Sequence, residues 1–210
     1  VLAERGGISP EQAAKIKAWF SRFLAWMTSH PYGIDEMKAE NNHGTCWVVT
    51  ASAMAVLVNN KEIIDLCADR FKNVLLPSQM DSDGSFPREL KRTKPYGYSL
   101  FNLDAFFNAA QILSASENNL WEFTTPDGLS LRKGIEFGYP FIQDKLKWPF
   151  AHDIYIWEEW PARQSCLLFA GLAYNNQDYI STYLKLPPYP RHAEVIRNLP
   201  VRHPVIWLIQ

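Results

Sequence analysis

Apolar residues in this chain recur at three- and four-residue steps, and nowhere alternate with polar ones over more than about four residues. A half-buried strand needs that alternation, so the pattern argues for a mainly α fold built of antiparallel helical hairpins. Ser9-Pro10-Glu11-Gln12 starts the first helix, with Ser at the N-cap, Pro at the first helical position and Gln three residues after the cap. Ile16, Trp19, Phe20, Phe23, Leu24 and Met27 then form one face as far as Thr28. His30-Pro31-Tyr32-Gly33 ends it, His30 serving as a loop or cap residue. Thr45 to Val58 reads as a buried helix. Its valines would suit a strand, but its length and Ala51, Ala53 and Ala55 favour a closely packed helix. Asn59-Asn60 is a tight turn into a helix from Lys61 to about Leu76, antiparallel to the one before. Further helices are expected over Tyr98–Ser114, Leu129–Trp148, Trp157–Tyr174 and Asp178–Leu186, and the proline-broken remainder from Pro187 wraps them. Neither a linker nor a repeat divides the chain.

The 210 residues suffice for one domain with a sizeable core, and 47% hydrophobic with 20% charged residues is ordinary for a globular protein. A formal charge of −1 gives no basic excess that would point to nucleic acid. The longest apolar run, Ala51 to Val58 broken by Ser52, falls far short of the ~20 residues of a membrane span, so no membrane partner is expected. Val1-Leu2-Ala3-Glu4-Arg5 carries no signal-peptide pattern. Cys46, Cys67 and Cys166 are odd in number and widely spaced, which fits small helix residues rather than disulfides or zinc ligands. Asp81-Ser82-Asp83-Gly84 opens like a calcium loop, but the twelfth position from Asp81 holds Arg92 where a Glu is required; the stretch reads as a turn. The eight Trp, nine Tyr and twelve Phe fit a core of large residues, or a cleft that stacks sugar rings.

Two polar islands carry the chemistry. Asn41-Asn42-His43-Gly44 precedes one apolar helix, and Arg88-Glu89-Leu90-Lys91-Arg92-Thr93-Lys94-Pro95-Tyr96-Gly97-Tyr98 precedes another. A single Asn would cap the first helix; two followed by His exceed what a cap needs. If the two helix N-termini lie side by side, the Asn42 amide, the His43 imidazole, the Arg92 guanidinium and the Tyr98 phenol converge where two helix dipoles are positive. That environment suits a substrate carboxylate and proton abstraction alpha to it. Asn42 and Arg92 would stabilise the enolate-like intermediate, His43 or Tyr98 would take the proton, and Tyr98 could protonate the departing oxygen.

These residues also carry a resemblance. Asn41-Asn42-His43-Gly44-Thr45, the segment from Asp83 to Thr93, and Tyr96-Gly97-Tyr98-Ser99-Leu100-Phe101-Asn102-Leu103 together resemble the alginate lyase family of polysaccharide lyases. The ending from Glu194 to Trp207 is similar to that family's C-terminal segment. The resemblance implies an (α/α) toroid that cleaves uronate polymers by β-elimination without metal or cofactor. Its carboxylate-neutralising Asn falls on Asn42, its His on His43, its Arg on Arg92 and its Tyr on Tyr98, with Tyr96 the competing candidate. It also implies a polyanionic polysaccharide as partner and a periplasmic or secreted location, and says nothing of oligomeric state. A closed toroid needs more helices than the seven read here, so one domain over residues 1–210 lacking N-terminal helices is expected.

Other readings stand beside this one. A non-catalytic carbohydrate-binding helical domain would keep the fold without the reaction. An inverting glycoside hydrolase on a similar toroid would need two carboxylates across the cleft, for which Asp81, Asp83 and Glu89 are available. The choice among mannuronate, guluronate and glucuronate, and between endo and exo action, is open at this level.

Overall fold

The computed structural model describes residues 7–115, 117–199 and 201–208; the N-terminal Val1–Arg5 stretch and Pro200 lie outside them. Among the described residues helices dominate and no strand forms, only two isolated bridges. Eleven α-helices follow in order: α1 (Pro10–Ser29), α2 (Pro31–Lys38), α3 (Asn42–Val58), α4 (Lys61–Arg70), α5 (Leu76–Gln79), α6 (Pro87–Leu90), α7 (Pro95–Leu113), α8 (Leu131–Gln143), α9 (Ser165–Ala173), α10 (Gln177–Lys185) and α11 (Ala193–Arg197). None is long and apolar enough to cross a membrane.

Two helices form the centre. α3 and α7 are apolar nearly all round, as a helix must be when neighbours cover every face. They pack on each other; α1, α2 and α4 flank α3, while α8 and α9 flank α7, with α10 against α9. Phe71, Phe86, Phe106, Phe107, Phe169 and Tyr96 fill the space between, so most of the aromatic excess is core. Trp19, Trp26 and Tyr32 remain exposed.

Helix starts are set partly by local caps and partly by distant side chains. Ser9 and Gln12 make the expected capping box of α1. α7 has no side-chain cap of its own; instead Asp153 accepts from the Tyr96 and Gly97 amides at 2.8 and 3.0 Å. Gly97 is required there. A Cβ would stand 2.8 Å from both Asp153 Oδ2 and the Trp160 indole nitrogen. Likewise Asp104 of α7 accepts from the Cys166 amide at 2.7 Å and from Ser165 Oγ at 2.9 Å, closing the start of α9.

The structure corrects several expected boundaries. α1 ends where expected, with His30 as its cap, but Pro31 then opens a further short helix, α2, which the sequence pattern did not single out; His30 Nδ1 accepts from the Tyr32 amide at its start. The helix from Lys61 is not continuous to Leu76. It widens into a π turn over Phe71–Leu75, where the Leu76 N–H bonds Phe71 O, and resumes as α5. Pro77, which has no N–H to donate, explains the break in the regular ladder. The expected helix over Trp157–Tyr174 is a 3₁₀ turn, Trp157–Glu159, then an irregular stretch, then α9. Its true start is fixed by Asp104, far away in sequence. The expected Leu129–Trp148 helix is shorter, starting after the Ser130 cap and ending at Asp144. Asp81–Gly84 is a turn, with Gly84 at φ +92.

Burial pushes the Asp104 carboxyl up to about 6, against the opposing pull of its hydrogen bonds from Cys166, Ser165 and Asn108. The folded chain therefore holds this proton more tightly than the unfolded chain. The stability it contributes is present in full below the ordinary carboxylate range, falls as pH rises toward 6, and is flat above. Denaturant titrations of the protein and of Asp104→Asn should show the difference in stability moving in the variant's favour by on the order of 2 kcal/mol between pH ~4 and ~7. A difference that does not vary with pH would mean that the Asp104 carboxyl binds its proton equally well in the folded and unfolded chain.

Candidate active site

The first island is organised from Asn41 outward. Asn41 is the N-cap of α3, its side chain accepting from the His43 amide at 3.2 Å, while its carbonyl accepts from Gln79 Nε2 at 2.9 Å. Gly44 lets the preceding chain turn tightly over the helix start; a Cβ there would meet Ala39 O at 2.1 Å. Asn42 is buried at 4% exposure, and both its backbone N–H and its carboxamide donate to Glu89, at 2.7 and 2.8 Å. His43 points outward, half exposed, with Nδ1 2.7 Å from Glu36 Oε2. A carboxylate only accepts, so Nδ1 carries the proton and Nε2 of the neutral ring is the free acceptor.

The second island reaches the same place from α6 and the start of α7. The Arg92 guanidinium lies 4.2 Å from the centre of the Tyr98 ring, and its Nη1 is 3.9 Å from Glu89 Oε2. The Lys94 ammonium lies 5.0 Å from the same ring. Lys94 is buried, donates to Tyr155 Oη at 3.1 Å and forms an ion pair with Glu194 of α11, which also pairs with Arg197. The islands therefore meet, through Asn42 and Glu89, and again across an open cleft of about 560 Å³.

Asn42, His43 and Tyr98 all line that cleft. Arg92 does not; it stands beside it, against Tyr98 and Glu89. Tyr96 lies elsewhere. Its ring is fully buried against Trp148, its hydroxyl donates to Phe141 O at 2.9 Å, and burial pushes the phenol well above its ordinary range. The two tyrosines fall on different faces because they are two residues apart on a helix. Asp81 and Asp83 are not among the cleft-lining residues, and Glu89 is buried with both oxygens occupied. Cys46 lines the cleft, but burial pushes its thiol up to about 12, with Glu89 and Glu36 adding to the effect, so it is no nucleophile near neutrality.

Several cleft residues are not among the site residues that the sequence singles out: Glu36, Glu194, Arg197 and Asn198. Glu36 carries no local signal, being one of two adjacent acidic residues, with Asp35, on a short helix. Glu194, Arg197 and Asn198 stand inside the C-terminal segment that carries the family resemblance, and that was the available signal. The C-terminal stretch does not only wrap the other helices; α11 builds part of the cleft wall.

Fold and site together define a mainly α-helical protein with an open cleft where the first turns of two central helices meet. The family model described as alginate lyase matches residues 1–148, most of the chain, and the chain belongs to that family. An alginate lyase of Pseudomonas fluorescens is 33% identical over 108 residues, which are 49% of this chain and 28% of that protein. One from Azotobacter vinelandii is 32% identical over 85 residues, 40% of this chain and 21% of its own length. The crystal structure of an alginate lyase from Bacteroides ovatus superposes on the whole chain with a TM-score of 0.80 at 24% identity, using 53% of that protein. The chain thus spans about half the length of this solved relative, and its matches take in under a third of the curated ones.

The Lys94–Glu194 pair offers a direct check on how α11 is held. Glu194→Gln leaves a buried ammonium without its carboxylate and should cost about 3–5 kcal/mol of stability. Replacing both with apolar residues of similar volume should recover most of that loss in a chemical denaturation series. A near-neutral single variant would show that the pair is hydrated in solution.

Proposed function

We propose that the protein is a polysaccharide lyase that cleaves a uronate polymer, alginate being the favoured substrate, by β-elimination. The observation that carries this reading is the sharing of one open cleft by Asn42, His43 and Tyr98, with Arg92 on the tyrosine ring. We infer further that the helical hairpins belong to an (α/α) toroid and form a single domain, and that the protein works in the periplasm or outside the cell. Family membership and the superposition on a longer alginate lyase support the toroid.

In the proposed reaction the uronate carboxylate lies at the first turn of α3, where the remaining Asn42 N–H and the positive end of the helix dipole face it. Arg92 adds charge from beside the cleft, shared with Glu89. His43 Nε2, held as acceptor by the Glu36 contact on the opposite ring nitrogen, takes the proton from C5. Electrons from that C–H bond form the C4=C5 double bond as the C4–O glycosidic bond breaks. The departing oxygen takes the Tyr98 phenol proton, leaving an unsaturated uronate and a new chain end. The charge that develops on the carboxylate as the proton leaves is the quantity the Asn42 and Arg92 donors must stabilise.

The test is incubation with polymannuronate, polyguluronate and polyglucuronate while following the ultraviolet absorbance of unsaturated uronate. Tyr98→Phe should lower turnover by at least about 100-fold, the scale of a lost general acid, while polymer binding persists. Tyr96→Phe should keep turnover and lose only about 1 kcal/mol of stability with its bond to Phe141. New reducing ends without that absorbance would mean hydrolysis, and polymer binding without products would mean a binding domain.

A further inference from the structure

We propose that Glu89 is a positioning residue for Asn42: its buried carboxylate holds the Asn42 backbone N–H on one oxygen and the carboxamide N–H on the other, and so sets which way that carboxamide faces the cleft. The effect on turnover rests on the lyase reading above; the clamp itself does not.

The geometry is specific. Glu89 is 1% exposed and Asn42 4%, they lie 47 residues apart in sequence, and the two bonds measure 2.7 and 2.8 Å on separate carboxylate oxygens. An amide side chain has a donor end and an acceptor end of nearly equal shape, and a free one can turn either toward a ligand. A carboxylate accepts only. Glu89 therefore admits one orientation, with Nδ2 toward itself, which leaves the second N–H and Oδ1 to face other partners. The backbone bond pins the same residue at a second point and satisfies one of the amides that the first turn of α3 leaves without a helical partner.

The charge is also managed. An isolated carboxylate beneath the site would repel an anionic substrate. Here Arg92 Nη1 stands 3.9 Å from Glu89 Oε2, and Asn42 supplies two donors. Glu89 is not among the cleft-lining residues, so it acts through Asn42 rather than on substrate. Gln is the informative replacement because it matches Glu in size but accepts at one atom only. With its oxygen on the Asn42 backbone N–H, the Gln NH₂ meets the Asn42 NH₂, and the Asn42 carboxamide must turn over, because turning the Gln instead would set its NH₂ against the backbone N–H.

Glu89→Gln should lower kcat for unsaturated product about 10- to 100-fold, with KM changed by less than about 3-fold, because the loss concerns alignment in the transition state. In an Asn42→Ala background the same change should cost nothing further. Equal losses in both backgrounds would overturn the proposal. A second measurement needs no turnover. In the ¹⁵N–¹H NMR spectrum of the unaltered protein one Asn42 Hδ2 proton should be shifted downfield and slow to exchange, and Glu89→Gln should remove that signature. A random-coil Asn42 carboxamide in the unaltered protein, or an unchanged one in the variant, would sink the clamp. Should Glu89→Gln fail to fold, the unaltered protein's spectrum decides. Should no uronate polymer yield product, the lyase reading falls while the NMR result still judges Glu89.

Discussion

Gln79 is a buried amide that three parts of the chain share. Its Oε1 accepts from Thr45 Oγ1 of α3 at 3.0 Å and from Asn102 Nδ2 of α7 at 2.9 Å, and its Nε2 donates to the carbonyl of Asn41. A buried amide left unpaired costs about 1–3 kcal/mol per group, so these bonds strongly favour one register of α3 against α7. That register brings the first turns of both helices to the same cleft. The π turn before α5 matters here. One extra residue in a turn rotates every later side chain by roughly 100° about the axis, and so decides whether Gln79 faces this node or away from it. A proline at position 77 thus acts, through backbone geometry, on where Asn42 and Tyr98 stand.

Short-range features were legible in the sequence. The Ser9–Gln12 capping box, the Asn59-Asn60 turn and the apolar character of α3 and α7 all appear as expected, because each depends on residues within a turn or two. The boundaries that shifted depend on partners far off in the chain. Asp153 starts α7 and Asp104 starts α9, and neither carries a local sign of that task. Of the proposed site residues, Asn42, His43 and Tyr98 share one cleft, and Arg92 stands beside it. Choosing between Tyr96 and Tyr98 by sequence amounted to choosing a helix face without knowing which neighbour covers it. The structure gives Tyr96 to Trp148 and Phe141, and leaves Tyr98 to the cleft.

The charges around the cleft follow one rule. Each buried or half-buried carboxylate has a donor partner: Glu36 has His43, Glu89 has Asn42 and Arg92, Glu194 has Lys94 and Arg197. Bare cations are the simpler way to attract a polyanion. Bare buried cations, however, would be expensive to desolvate and free to move, whereas paired ones are held at fixed positions by bonds on several sides. Tyr98 shows the result. Arg92 and Lys94 both lie against its ring, and each is paired with a carboxylate, Arg92 with Glu89 and the buried Lys94 with Glu194. Preorganisation of this kind stabilises developing charge because the dipoles and charges need not reorient when it appears. The C-terminal α11, which supplies Glu194, therefore helps to fix the Lys94 charge beside Tyr98 as well as forming part of the cleft wall.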